Sequence, residues 1–199
     1  APKGPWLFGK AADLWVFGGS ALVAFLLLGF GWQSGLIDKD APDWVFFACV
    51  LAVDVAHVWT TLFRVYFDGE EVKRRRGLYV GLPIAIYGLG VLLHAMGSGV
   101  FWTAIAYVAV FHFVRQQVGW MRLYDRRDES ASAFDRRFDQ FATYASTVYP
   151  VIWWHGHLPR SFHWFIEGDF VVGLSNVVAD LLWPFYLATL ALFMLRHLW

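Results

Sequence analysis

Apolar residues dominate the chain in six stretches of roughly twenty positions, separated by short polar connections. An α-helix rises about 1.5 Å per residue and needs about 20 mostly apolar residues to cross the hydrocarbon of a bilayer. Each stretch is therefore predicted to span: 14–33, 44–67, 78–96, 100–124, 138–155 and 171–195. Ser20 is the one polar residue inside the first, and Pro150 lies near the far end of the fifth. The predicted fold class is all-α. It is a polytopic transmembrane helix bundle of about six spans, a single transmembrane domain over 1–199.

The connections assign an orientation. Lys and Arg gather in cytoplasmic loops. The second-to-third connection, "DGEEVKRRRG", has four basic residues in a row, and the fourth-to-fifth, "RLYDRRDESASAFDRR", holds five arginines. "GLIDKDAPD" and "AMGSG" hold one basic residue between them, and "HGHLPRSFHWFIEGD" has only Arg160. Both termini are thus predicted to be cytoplasmic. The opening "APKGPWLFGKAADLW" lacks the basic, apolar and small-residue order of a cleaved signal peptide and reads as a short cytoplasmic lead-in.

Composition strengthens this picture. Apolar residues make up 58% of the chain and aromatic residues 20%, with 12 Trp and 19 Phe. Charged residues are 16%, against roughly 25% in soluble domains. Sixteen basic and sixteen acidic residues leave no basic excess, which argues against nucleic acid as a partner. Cys49, the single cysteine, excludes a disulfide framework and a thiolate metal site. No internal repeat stands out, and no G-x-S-x-G, P-loop or G-x-G-x-x-G motif is present.

The candidate chemistry lies in the polar residues of the spans. Charge at mid-membrane costs several kcal/mol unless paired or hydrated, so such residues are functional candidates by default. In "DVAHVWTTLFRVYFD", Asp54 and His57 are spaced i, i+3 and share a helix face, which Thr61 and Arg64 continue. In "VFHFVRQQVGWMR", His112 is followed at i+3 and i+4 by Arg115 and Gln116, with Gly119 and Arg122 further along. The second and fourth spans run in the same direction, and counting residues puts His57 and His112 at nearly equal depth. Asp180 in the sixth span falls close to the level of Asp54, and Tyr144, Thr147 and Tyr149 of the fifth reach a similar zone.

Three readings fit that level. Asp54, His57, His112, Gln116 and Asp180 are suitable ligands for a transition metal ion, iron or zinc. His57 or His112 could instead serve as axial ligand to haem or chlorophyll. Or Asp54 and His57 pair with Arg115 or Arg64 as buried ions that lock the bundle or handle protons. Below this level Arg64, Arg115 and Arg122 form a basic tier, suited to a phosphate or carboxylate headgroup or to snorkelling. In the metal reading Arg64 and Arg115 are the catalytic candidates, orienting a polar substrate head or stabilising negative charge. A second group, His94, His155, His157 and His163, gathers at the outer face and reads as interfacial rather than metal-binding; His197 reads the same way. "RSFHWFIEGDF" reads as a re-entrant or amphipathic lid.

"DVAHVWTTLFRVYFD", "HFVRQQVGWMRLY" and "YPVIWWHGHLPRSFHWF" together resemble an uncharacterised family of bacterial multi-pass membrane proteins, over about residues 45 to 170. A looser similarity is to the histidine-rich membrane oxygenases of the β-carotene-cleaving type, which implies an oxidoreductase with iron held by histidines inside the bilayer; only His57 and His112 carry over as inner ligands. The H-x-x-x-H and H-x-x-H-H boxes of membrane desaturases and hydroxylases are missing.

The functional expectation is an intramembrane metal-dependent enzyme of a bacterial cytoplasmic membrane acting on a lipid-soluble substrate. The alternatives are a non-catalytic subunit of a larger membrane complex, packing protein partners, pigments or lipids, and a proton or ion transporter through Asp54, His57 and Asp180.

Overall fold

The structure, a computed structural model, describes residues 6–37, 39, 42–128, 130–160 and 163–198, apart from the side chains of Phe46, Val50, Leu51, Asp54 and Thr61. It is all-α, and no strand occurs among the described residues. The helices are α1 (Lys10–Gln33), α2 (43–66), α3 (Gly69–Arg74), α4 (Arg76–Ala95), α5 (Ser98–Asp125), α6 (Ala133–Gly156) and α7 (Asn176–Leu198). α1 and α2 contain π-helical turns, Leu14–Gly19, Phe46–Val55 and Leu62–Tyr66. A helix satisfies its backbone groups within itself, as lipid requires.

Among the described residues, four helices are long and apolar enough to cross a membrane: α1, α4, α5 and α7. They coincide with four of the six predicted spans. Their apolar side chains stay exposed, as in Phe25 at 73% and Phe185 at 71%, the state expected of lipid-facing positions. The other two predicted spans, 44–67 and 138–155, are helical but are not among the four. For α6 the reason is composition. It opens with Asp135, Arg136, Arg137, Asp139 and Gln140 and carries hydroxyl residues through its middle. The last helix also starts later than predicted: 171–175 is irregular, and α7 begins at Asn176.

The chain divides into two units, residues 14–92 and residues 1–13 with 93–199. In the first, α2 turns into α3 at Asp68, whose carboxylate accepts the Glu70 and Glu71 amides at 3.0 and 3.2 Å. This is an N-cap, and α3 is a six-residue helix beyond it with acidic residues in its first turn and basic residues in its last. Glu71 accepts the Tyr79 hydroxyl at 2.8 Å and pairs with Arg74 at 2.5 Å. The Arg74 guanidinium and the Tyr79 hydroxyl hold its carboxyl below the usual glutamate range. The Tyr66 hydroxyl donates to the Tyr79 carbonyl at 3.1 Å, tying α2 to α4.

In the second unit α6 packs between α5 and α7. A capping box starts it: Ser132 accepts the Asp135 amide, and Asp135 accepts the Ser132 amide. Small residues occupy one buried position on each helix, Ala106 on α5, Ala142 on α6 and Ala179 on α7. Lipid supplies no hydrophobic drive between helices, so small residues and polar contacts set their approach. Polar contacts follow. Arg196 of α7 grips Asp139 of α6 with two nitrogens at 2.6 and 3.0 Å, and its Nε lies 3.4 Å from Asp135. The buried Tyr149 donates to the Ala179 carbonyl at 3.2 Å and stacks on Tyr186 at 4.3 Å. At the other end a Cβ on Gly156 would stand 2.8 Å from Asn176 Oδ1 and 3.2 Å from its Cα, so the helices meet there at glycine contact. The lead-in joins this unit. Asp13 accepts the Leu7 and Phe8 amides, and Arg127 donates to the Trp6 carbonyl.

The Asp139–Arg196 pair is expected to stabilise the unit by about 1–3 kcal/mol, between exposed and fully buried pairs. A double-mutant cycle with Asp139→Asn and Arg196→Gln in detergent should give coupling of that size; additive losses would show that the pair contributes nothing.

Candidate functional site

A cleft of about 530 Å³ lies beside the α5–α6 seam of the 93–199 unit. α5 contributes Val110, Phe113, Val114 and Gln117, one face at i, i+3, i+4 and i+7. α6 contributes Ser146, Thr147, Pro150, Val151 and Trp154, and the 158–175 connection adds Trp164 and Phe170. The volume lies in the range of small-molecule sites. Among the described residues, none that lines it is charged, and none is a histidine or cysteine. The Ser146 and Thr147 hydroxyls donate to the Thr143 carbonyl at 3.0 and 2.8 Å, so neither is a nucleophile activated by a base.

The connection is held over the cleft by named contacts. Trp164 stacks on Phe113 with centroids 5.6 Å apart and planes at 10°, and Phe165 stacks on Trp102 at 5.4 Å. Asp169, 1% exposed, accepts the amides of Trp164, Phe165 and Ile166 on Oδ2 at 2.8, 2.7 and 3.4 Å. Gly168, at φ +80°, supplies the backbone turn that a side chain would strain. Phe170 is buried beside Trp154, Trp164 and Tyr107.

Tyr107 and His155 complete the anchor. His155 Nδ1 lies 2.7 Å from the Val151 carbonyl and therefore carries the hydrogen. In the neutral ring Nε2 is then an acceptor, and it takes the Tyr107 hydroxyl at 2.8 Å. The Tyr107 oxygen in turn accepts the Val171 amide at 3.1 Å. A chain of bonds thus runs from the connection through α5 to α6.

The predicted site residues fall as follows. His57 and Arg64 lie on α2 in the 14–92 unit, both exposed; the Asp54 side chain is outside the described residues. His112, Arg115, Gln116 and Asp180 lie in the other unit, with Gln116 half-buried and the rest exposed. His112 meets the Phe113 ring at 5.9 Å, and Arg115 donates to the Tyr144 hydroxyl. Among the described residues no group of three His, Cys, Asp or Glu side chains is placed to hold a metal ion.

His155 departs from the interfacial reading: it is 4% exposed and partnered on both nitrogens. His157 stacks on Trp153 at 3.9 Å, His94 meets Phe101 at 5.7 Å, and His163 is exposed. The lid expected in "RSFHWFIEGDF" is seen over the described residues 163–170 as an irregular segment packed on α5 and α6, not an amphipathic helix. Sequence reasoning missed Asp139, Asp169 and Tyr107. The one available signal was E-G-D before an apolar run, a turn with a capping carboxylate.

No protein-family model, no curated protein and no solved structure matches the chain.

Tyr107→Phe removes both the donor to His155 and the acceptor for Val171. Amide exchange across 163–175 should accelerate about 5- to 30-fold, the loss of one or two net hydrogen bonds. Exchange unchanged in this variant would show that the chain of bonds does not hold the connection.

Proposed function

We propose that the protein is a six-span integral membrane protein, both termini on the side of its basic loops in a bacterial cytoplasmic membrane, that holds a lipid-soluble, ring-bearing molecule such as a pigment or quinone-like lipid in the α5–α6 cleft. The observation that carries this reading is the lining: aromatic and aliphatic walls, three uncharged polar side chains and, among the described residues, no titratable group. Such a surface can select and orient an apolar molecule but offers no acid or base to transform it. The function is therefore binding, as a subunit that packs a ligand, rather than catalysis within the cleft.

The metal-dependent alternative draws on Asp54, His57, His112, Gln116 and Asp180. The described residues alone do not assemble three His, Asp or Glu ligands, so no reaction step is derived through a metal. Elemental analysis of the purified chain is a separate readout. Stoichiometric iron or zinc that disappears in a His57→Ala, His112→Ala double variant would shift the reading to metal-dependent chemistry.

Binding is tested with a flat fluorescent hydrocarbon, 1-butylpyrene, on the full chain in nanodiscs. Val114→Trp, which fills the cleft, should weaken retention at least ten-fold, about 1.4 kcal/mol, while Val16→Trp on the exposed face of α1 should not change it. Equal retention in both variants, or parent retention no greater than that of protein-free nanodiscs, would remove the reading.

A further inference from the structure

A second cleft, about 490 Å³, lies along the same seam and differs from the first in holding a cation. Val110, Phe111, Val114, Val148 and Val151 form its walls, with Arg115 and Tyr144 in the lining. The antiparallel register of α5 and α6, visible in the Tyr107–His155 and Arg115–Tyr144 contacts, puts Arg115 and Tyr144 at one end and Tyr107 at the other.

Arg115 lies well inside α5, and no carboxylate pairs with it among the described residues. An unpaired cation in that setting is costly, and a membrane protein relieves it by pairing, hydration or snorkelling. Snorkelling does not describe Arg115, because its guanidinium reaches across the seam to Tyr144 instead of along the helix. Tyr144 accepts that hydrogen bond, which leaves its own O–H free to donate. The remaining guanidinium N–H groups and this O–H form a pair of donors next to an acyl-sized apolar groove. Arginine offers oxyanions a bidentate fork. The Tyr107 hydroxyl at the far end is committed to His155 and the Val171 amide, so the groove has one polar end only.

We propose that this cleft is a lipid site: Arg115 and Tyr144 bind the phosphate of an acidic phospholipid of the surrounding bilayer, and one of its acyl chains lies along the valine walls. The charge favours a net anionic lipid over a zwitterionic one. The site shares Val110, Val114 and Val151 with the cleft proposed above for an apolar ligand, but its recognition chemistry is different and rests on Arg115 and Tyr144, which do not line that cleft.

Native mass spectrometry of the full chain released from nanodiscs of mixed phosphatidylglycerol and phosphatidylcholine reads the site directly. The parent should retain one phosphatidylglycerol in preference to phosphatidylcholine. Arg115→Gln should weaken that retention about ten-fold or more, and Tyr144→Phe about three-fold, as expected for a charge-assisted and a neutral hydrogen bond. Arg122→Gln, an exposed arginine at the end of the same helix, should leave it unchanged. Retention unaffected by Arg115→Gln, equal losses in Arg115→Gln and Arg122→Gln, or oleate displacing phosphatidylglycerol at equal concentration would overturn the assignment. Elution of each variant as the parent species, with Tyr144→Phe as the milder change, separates lost binding from lost fold.

Discussion

α6 is too polar to face lipid on all sides, and the arrangement of residues 93–199 follows from that constraint. Asp139, Thr143, Tyr149 and His155 are distributed along its length and around its faces. Each finds its partner on a neighbouring element or within α6: Arg196 for Asp139, the Ala179 carbonyl for Tyr149, Tyr107 for His155, and the Asp139 carbonyl for the Thr143 hydroxyl. With no hydrophobic drive between helices in lipid, these bonds and the alanines at the contacts hold α5 and α7 on either side of α6. The exposed outer surfaces of α5 and α7 can then stay apolar, as their spans require.

Satisfying α6 also creates the clefts. Where the α5–α6 seam carries Val110, Val114 and Val151, side chains are too short to close the space on either side. On one side the 163–170 segment covers it with Trp164 and Phe170, fixed by the Asp169 carboxylate and by the Val171 amide on Tyr107. On the other side Arg115 and Tyr144 stand at the end of the groove. One seam therefore presents an aromatic face and a cationic face, a difference suited to two kinds of lipid-soluble molecule.

The class of fold was legible from apolar run length alone, because crossing hydrocarbon demands about 20 apolar residues whatever the packing. Four runs meet that demand as helices. The site was less legible. Depth counting along single spans placed His57, His112 and Asp180 at one level, but depth carries no information about which faces meet. His112 and Asp180 prove exposed on their own unit, and His57 on the other. The residues that build the cleft were hidden for the opposite reason. Phe113, Trp154, Trp164 and Phe170 look like any interfacial aromatics, and Tyr107 and His155 are 48 positions apart, a pairing that only the antiparallel helices reveal. Arg115 was visible as an anomaly in an apolar run, and its bond to Tyr144 gives that anomaly a direction.

The central claim is that the α5–α6 seam is a binding site for apolar molecules rather than one stretch of lipid-facing surface among many. Photo-crosslinking settles it most directly. The full chain in nanodiscs would be illuminated with a small apolar diazirine and the labelled peptides located by mass spectrometry. A binding site predicts saturable labelling concentrated in 110–117, 146–154 and 163–170, suppressed by excess unlabelled hydrocarbon. Labelling spread evenly over the apolar faces of α1, α4 and α7, linear in reagent and indifferent to competitor, would contradict it.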